Sequence, residues 1–236
     1  ASFQKKADIA QRKSIVLLQN KSVLPLKQPK GEDTLKIFTM GMNVDLFKER
    51  AWANYKVIRG EYDKSKGEKL PAISKEIDYA IIRVQITTIG GNDRRFGGAL
   101  PEELNFLSLS EMAKSKSWKI SPALEDIQAV METLGPKKTI LAIDFRQPYV
   151  LDQGSGVLHA GGLLATFGVN DAALMDIVMG KFNPSGKLPY ALAKTSAAVV
   201  AQDPDAPGYP EKDTLFPFGF GLNYTQKNLT NSDRND

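Results

Sequence analysis

The chain has no cysteine and one histidine in 236 residues. The first absence excludes disulfides, thiolate zinc sites, iron–sulfur clusters and cysteine nucleophiles. The second excludes zinc sites built on two or three imidazoles, and a Ser-His-Asp triad could use only His159. No apolar run approaches the roughly 18 residues that a membrane-spanning helix needs. Net charge is also small. Lys and Arg number 31 against 27 Asp and Glu, a balance of +4, which is a mild bias and not the footprint of a nucleic-acid binder. No signal peptide is read at the start, and the chain opens on Ala1. Lack of cysteine suits cytosol, periplasm or export alike. A chain of this length can bury roughly 70–75% of its unfolded surface and build a core without staples.

What is present is an alternation of strand-like and helix-like segments. Lys36–Met40, Tyr55–Ile58, Tyr79–Ile86, Thr139–Ile143 and Leu163–Phe167 read as strands. Tyr79–Ile86 opens on a mostly apolar run, and Thr139–Ile143 carries no charge. Such runs suit strands covered on both faces of a parallel sheet. Ser121–Leu134 reads as a helix, with Ser121 as N-cap, Pro122 at the first position, and Ala123, Ile127, Val130, Met131 and Leu134 on one face. Glu125 and Asp126 fall near the positive end of its dipole, and Gly135-Pro136 ends it. Asn170 caps a helix that runs to Met179. Val44–Tyr55 and Leu70–Ile77 are further helix candidates, and Arg59–Lys69 is a charged turn. Thr87–Lys119 reads as one long polar loop, a length that is usually functional or disordered. The sum predicts an α/β fold: a three-layer sandwich with a mainly parallel sheet and helices on both faces. Residues 226–236 read as a polar tail.

Several motifs stop short of completion. Gly154-Ser-Gly156 begins a dinucleotide loop, but His159 stands at the third glycine position. Gly186-Lys187 ends like a phosphate loop, yet Lys181 occupies the first glycine position and Leu188 replaces the hydroxyl residue. No Gly-x-Ser-x-Gly elbow occurs. Arg94, Arg95 and Phe96 form one basic-aromatic cluster and not a nucleic-acid groove. His159, between Leu158 and Ala160, reads as structural.

Four segments carry a resemblance. They are Gln11–Asn20 with Val23–Leu26, Asp78–Val84, Phe182-Asn-Pro-Ser-Gly-Lys-Leu-Pro189, and Leu215-Phe-Pro-Phe-Gly-Phe-Gly-Leu-Asn-Tyr-Thr225. In this order and spacing they resemble the C-terminal α/β sandwich domain of glycoside hydrolase family 3, from about Lys5 to Thr225. Local physics adds to this. Asn183–Gly186 is expected to turn, with proline presetting φ and glycine accepting positive φ. Phe216, Phe218 and Phe220 alternate and are expected on one side of an extended segment. Residues 1–30 resemble an interdomain helix and linker, and 31–225 the sandwich.

The resemblance implies retaining hydrolysis of β-linked sugars in the manner of a β-glucosidase. It implies a barrel domain as partner that carries an aspartate nucleophile, and a carbohydrate substrate. It also implies an acid/base glutamate on a sandwich loop. Where such a loop often carries Gly-Glu, this chain reads Ile89-Gly-Gly-Asn-Asp93. Glu102 and Glu103 are therefore the acid/base candidates, against a reading as first-turn acids of a short helix after Pro101. Asp93, Arg94 and Trp118 are candidate substrate contacts. No metal, cofactor, nucleic acid or membrane is expected, and a periplasmic or extracellular location is favoured. The alternative is a free-standing, non-catalytic sandwich that binds carbohydrate or a protein partner. A two-carboxylate reaction needs no metal, so glycoside hydrolysis by the assembled protein should persist in excess chelator. Loss of turnover that a divalent ion restores would contradict this.

Overall fold

The computed structural model describes residues 2–27, 30, 34–43, 45, 55–89, 107–203 and 205–225. In chain order the elements are α1 (Ser2–Ser14), β1 (Val16–Asn20), β2 (Leu35–Met40), β3 (Tyr55–Arg59), β4 (Tyr79–Thr88), α2 (Leu109–Met112), β5 (Trp118–Ser121), α3 (Leu124–Leu134), β6 (Thr139–Asp144), β7 (Gly162–Thr166), α4 (Asp171–Val178), β8 (Leu192–Ala193), α5 (Ser196–Ala201) and β9 (Thr214–Phe216). The main sheet runs β1-β7-β6-β4-β2-β3, and β5 pairs with β4 off this path. Strands β3, β2, β4, β6 and β7 are mutually parallel. β1 and β5 are antiparallel to their neighbours, and β8 and β9 form a separate pair.

Because side chains alternate across a strand, each apolar strand feeds two cores. On one face lie Ala80, Ile82, Val84, Leu141, Ile143, Leu163 and Ala165, covered by Leu109 and Met112 of α2 and by Ile127, Val130 and Met131 of α3. On the other lie Ile37, Ile81, Ile140, Ala142 and Leu164, covered by Leu174, Ile177 and Val178 of α4. Helix α1 packs on α4 through the Arg12–Asp176 ion pair, and Gln11 accepts a hydrogen bond from the Asn170 amide. Each buried Val, Leu, Ile and Met of these two layers gains about 1.5–3 kcal/mol by burial. The result is the three-layer α/β sandwich. Asn170 caps α4 as the sequence suggests, its side chain accepting from the Ala173 amide at 2.8 Å.

Local readings fail where distant partners decide. Ser121 does not cap a helix: it ends β5 opposite Gln85, and α3 starts at Leu124 with Ala123 as N-cap. Leu70–Ile77 is not helical. Ser74 binds the Glu76 amide through its hydroxyl, offering the backbone a local alternative to a helix, and Leu70 and Ile73 pack on the core from irregular chain. The loop expected over 87–119 has structure at both ends, because β4 extends to Thr88 and β5 returns along it. Val16–Asn20, expected within an interdomain connection, supplies an edge strand, so the sheet includes part of 1–30. Of Val44–Tyr55, residues 44 and 46–54 lie outside the described residues, as does the 226–236 tail, and Tyr55 begins β3.

The two C-terminal motifs lock β1 in place. Leu222 donates its amide to the Leu17 carbonyl at 2.8 Å. Gly186 does not adopt the positive φ that the turn reading assigned to it. It is small because a Cβ there would sit 2.3 Å from the Ile15 carbonyl oxygen, and one at Gly221 would sit 2.1 Å from the Gly186 oxygen. The three phenylalanines do not share one side either. Phe216 and Phe220 stack at 5.0 Å between ring centres, and a turn throws Phe218 outward, 74% exposed. Gly186→Ala should therefore lower stability by about 1–3 kcal/mol, the cost of overpacking, as read by chemical denaturation. Unchanged stability would show that β1 is free to shift.

Candidate functional site

Four parallel strands, β2, β4, β6 and β7, point their carboxyl ends to one edge of the sheet, the edge where ligands gather in open α/β folds. The chain leaves β4 there at Ile89 and is next described at Leu107. Both ends of that excursion are pinned. The Ile89 amide binds the Ser117 carbonyl at 2.8 Å, and Thr88 pairs with Trp118. On the return, Leu109 donates to the Val150 carbonyl at 3.1 Å, and Ser110 donates to Asp152 through both its amide and its hydroxyl. Glu111 accepts from the Ser108 amide at 2.7 Å, which holds its carboxyl below the usual carboxylate range. It is thus engaged in closing α2.

A row of rings follows the same edge. Trp118 stands edge-on to Tyr149 at 6.5 Å, Tyr149 lies 5.5 Å from Phe145, Phe145 6.3 Å from Phe167, and Phe167 6.3 Å from Tyr190. Such offset pairs add about 0.5–1.5 kcal/mol each beyond their burial. Behind the row sits a buried ionic clasp. Arg83 donates to Asp171 and to the Val169 carbonyl, both at 2.5 Å, and stands 3.9 Å from Asp144. Asp144 accepts from the Thr166 hydroxyl at 3.0 Å and the Gly168 amide at 2.9 Å, and Asp171 from the Asn43 amide at 2.8 Å. These hydrogen bonds are what make the buried charges tolerable. The clasp sets where the loops after β2 and β7 leave the sheet.

The sequence-derived candidates fall unevenly on this frame. Asp93, Arg94, Glu102 and Glu103 lie outside the described residues. Trp118 is half-buried at the base of the excursion, with its ring packed against Tyr149. His159 is not packed in apolar surroundings as its neighbours suggest: it is exposed just before β7, at the opposite edge. Sequence reasoning missed the clasp and the row of rings. The signal for the first was a lone arginine inside the apolar run of β4. The row had none, since its five members come from four separate stretches of chain. Among the described residues no group of three or more His, Asp or Glu side chains offers a metal a ligand set.

Comparison with known proteins places this edge in context. The model of the glycosyl hydrolase family 3 C-terminal domain matches residues 15–224. The chain is 27% identical to a periplasmic beta-glucosidase/beta-xylosidase of Dickeya chrysanthemi over 94% of its own length and 28% of that protein's. It is 28% identical to beta-glucosidase C of Emericella nidulans over 91% of its length and 29% of that protein's. It thus spans under a third of these curated relatives. Among solved structures, a beta-glucosidase of Chaetomella raphigera superposes with a TM-score of 0.61 at 21% identity, covering 95% of this chain and 36% of the other. A family 3 beta-glucosidase of Neurospora crassa gives 0.61 at 17%, covering 95% and 32%. These likenesses establish the sandwich fold.

Tyr190, at the end of the row, provides a test of the site's electrostatics. Its hydroxyl is buried without a hydrogen-bond partner among the described residues, and burial pushes the phenol up to about 12. Below about pH 10 the phenol is neutral in both folded and unfolded chains. Above that pH the unfolded chain ionises first, so stability is lost as pH rises toward the folded value. Tyr190→Phe should match or exceed the parent's melting temperature at pH 7, because an unpartnered hydroxyl is removed. It should also flatten the decline as pH rises from about 10 toward 12. An equally steep decline would show that other phenols dominate.

Proposed function

Because the chain belongs to the glycosyl hydrolase family 3 C-terminal domain, we propose that it is the sandwich half of a retaining β-glycoside hydrolase of the β-glucosidase type. In this reading a barrel domain of the same enzyme carries the aspartate nucleophile. The 90–106 excursion brings Glu102 or Glu103 to it as acid/base, and Asp93, Arg94 and Trp118 contact the sugar. The observation that carries the reading is the anchoring of that excursion. It starts at the carboxyl edge of β4 and is fastened on both sides, by the β4–β5 ladder and by α2 against Val150. Anchors on both flanks fix where the chain enters and leaves this stretch.

The chemistry needs two carboxylates about 5–5.5 Å apart. One attacks the anomeric carbon while the other protonates the leaving oxygen. The second then takes a proton from water, which hydrolyses the glycosyl-enzyme. Neither step calls on a metal or a cofactor. The name of the Dickeya relative supports a periplasmic or extracellular setting.

In the enzyme assembled with its barrel, Glu102→Gln and Glu103→Gln are made separately. One of them should lose about 10²–10⁴-fold in turnover on alkyl β-glucosides, the scale of general acid catalysis, and far less on activated aryl β-glucosides, whose leaving groups need no proton. Losses that ignore the leaving group, or no loss in either variant, would overturn the assignment. Residues 1–236 purified alone should not turn over an aryl β-glucoside. Turnover by that single component would overturn the division between domains.

A further inference from the structure

Beyond Tyr190 the row of rings opens into a groove of about 500 Å³ that the catalytic reading does not use. It is lined by Tyr190 and Ala191, by Pro207 and Tyr209 from one stretch, and by Pro217 and Phe218 from another. Hydrogen bonds fix both stretches. Thr214 of β9 donates its hydroxyl to the Tyr209 and Pro210 carbonyls at 3.0 and 2.9 Å, fixing the first. Gly219 donates to the Leu188 carbonyl at 2.9 Å, fixing the turn that carries Phe218. Phe216 and Phe220 turn inward, so Phe218 stands out as a large ring with nothing packed over most of its surface.

The chemistry of the lining narrows the ligand. Among the described residues no lining side chain is charged, so none of them compensates an anion or a cation. The walls offer flat ring and proline surfaces. The volume lies within the roughly 300–1,000 Å³ of small-ligand sites. A β-linked glucosyl unit has this complementary form: its hydroxyls project around the ring edge, leaving two apolar C–H faces. We infer that the groove is a binding site for one or two glucosyl units of a β-linked oligosaccharide, with Phe218 and Tyr209 stacking on the sugar faces. The choice of sugar rests on the glycosidase reading above. The existence of a neutral-ligand site rests on the groove alone.

The probe is cellotetraose, titrated into residues 1–236 and followed by calorimetry and saturation-transfer NMR. Binding is expected in the millimolar range, as suits a shallow, half-open site. Phe218→Ala and Tyr209→Ala should each weaken it at least fivefold with an unchanged far-ultraviolet spectrum. Phe3→Ala, which removes another exposed ring (82%) far along the chain, should not. In the assembled enzyme, Phe218→Ala should lower the ratio of kcat/KM for cellotetraose to that for an aryl β-glucoside at least fivefold. Parent-level binding by Phe218→Ala overturns the inference. So does an equal loss on both substrates, which would mark Phe218 as a contact to the barrel, and so does binding of oligoproline with none of cellotetraose. If the groove binds cellotetraose but the assembled protein is inert on β-glucosides, the glycosidase reading fails and this site stands. If hydrolysis is normal and binding is indifferent to Phe218 and Tyr209, only this inference fails.

Discussion

A single guanidinium holds together the edge on which the site depends. Arg83 enters the α4 face of the sheet from the middle of β4, beside Ile81 on its own strand and Ala142 of β6. It reaches α4 through Asp171, the β7–α4 loop through Val169, and the end of β6 through Asp144. Asp171 and Asp144 pass the restraint on to Asn43 and Gly168. Every loop joined in this way leaves the carboxyl edge. A charge at that depth survives only while its partners stay in place, since breaking a buried pair leaves the remainder uncompensated at about 3–5 kcal/mol. The clasp therefore ties together the end of β6 and the segments that follow β2 and β7.

The two faces of the sheet do different work around this clasp. The α4 face is a closed aliphatic layer, sealed at its margin by α1 and by β1. The α3 face ends in rings that run from Trp118 to Tyr190 across the tops of β4, β6 and β7. Aromatic rings are bulky and carry polar handles, so they suit a margin that meets both core and solvent. The proposed acid/base loop emerges at one end of this row and the neutral groove opens at the other.

Much of the fold was legible because it is local. β2, β3, β4, β6 and β7 announce themselves as short β-rich runs, and α4 by Asn170 ahead of an apolar stretch. The family resemblance lay in four segments, two of which, around Gly186 and Gly221, turned out to hold β1 against the body of the domain. The readings that failed share one trait. Ser121 has the chemistry of a cap and spends itself in a strand. Leu70–Ile77 has helical spacing and lies irregular. Gly186 looks like a turn glycine and is a contact glycine. In each case the deciding partner, Gln85, the underlying core or Ile15, lies far away in the chain.

The order of apolar strands and capped helices, together with the lack of cysteine and of a second histidine, determined by themselves that this is an α/β sandwich without thiol chemistry or a metal site of two or more imidazoles. Those properties follow from residue identity and short-range periodicity. Only tertiary structure decided that Arg83 is a clasp, that Trp118 packs on Tyr149, that His159 faces solvent and that Phe218 stands in the wall of a groove. Burial and pairing are properties of residues brought together from separate strands, and no local pattern encodes which distant carboxylate, ring or carbonyl a side chain will meet.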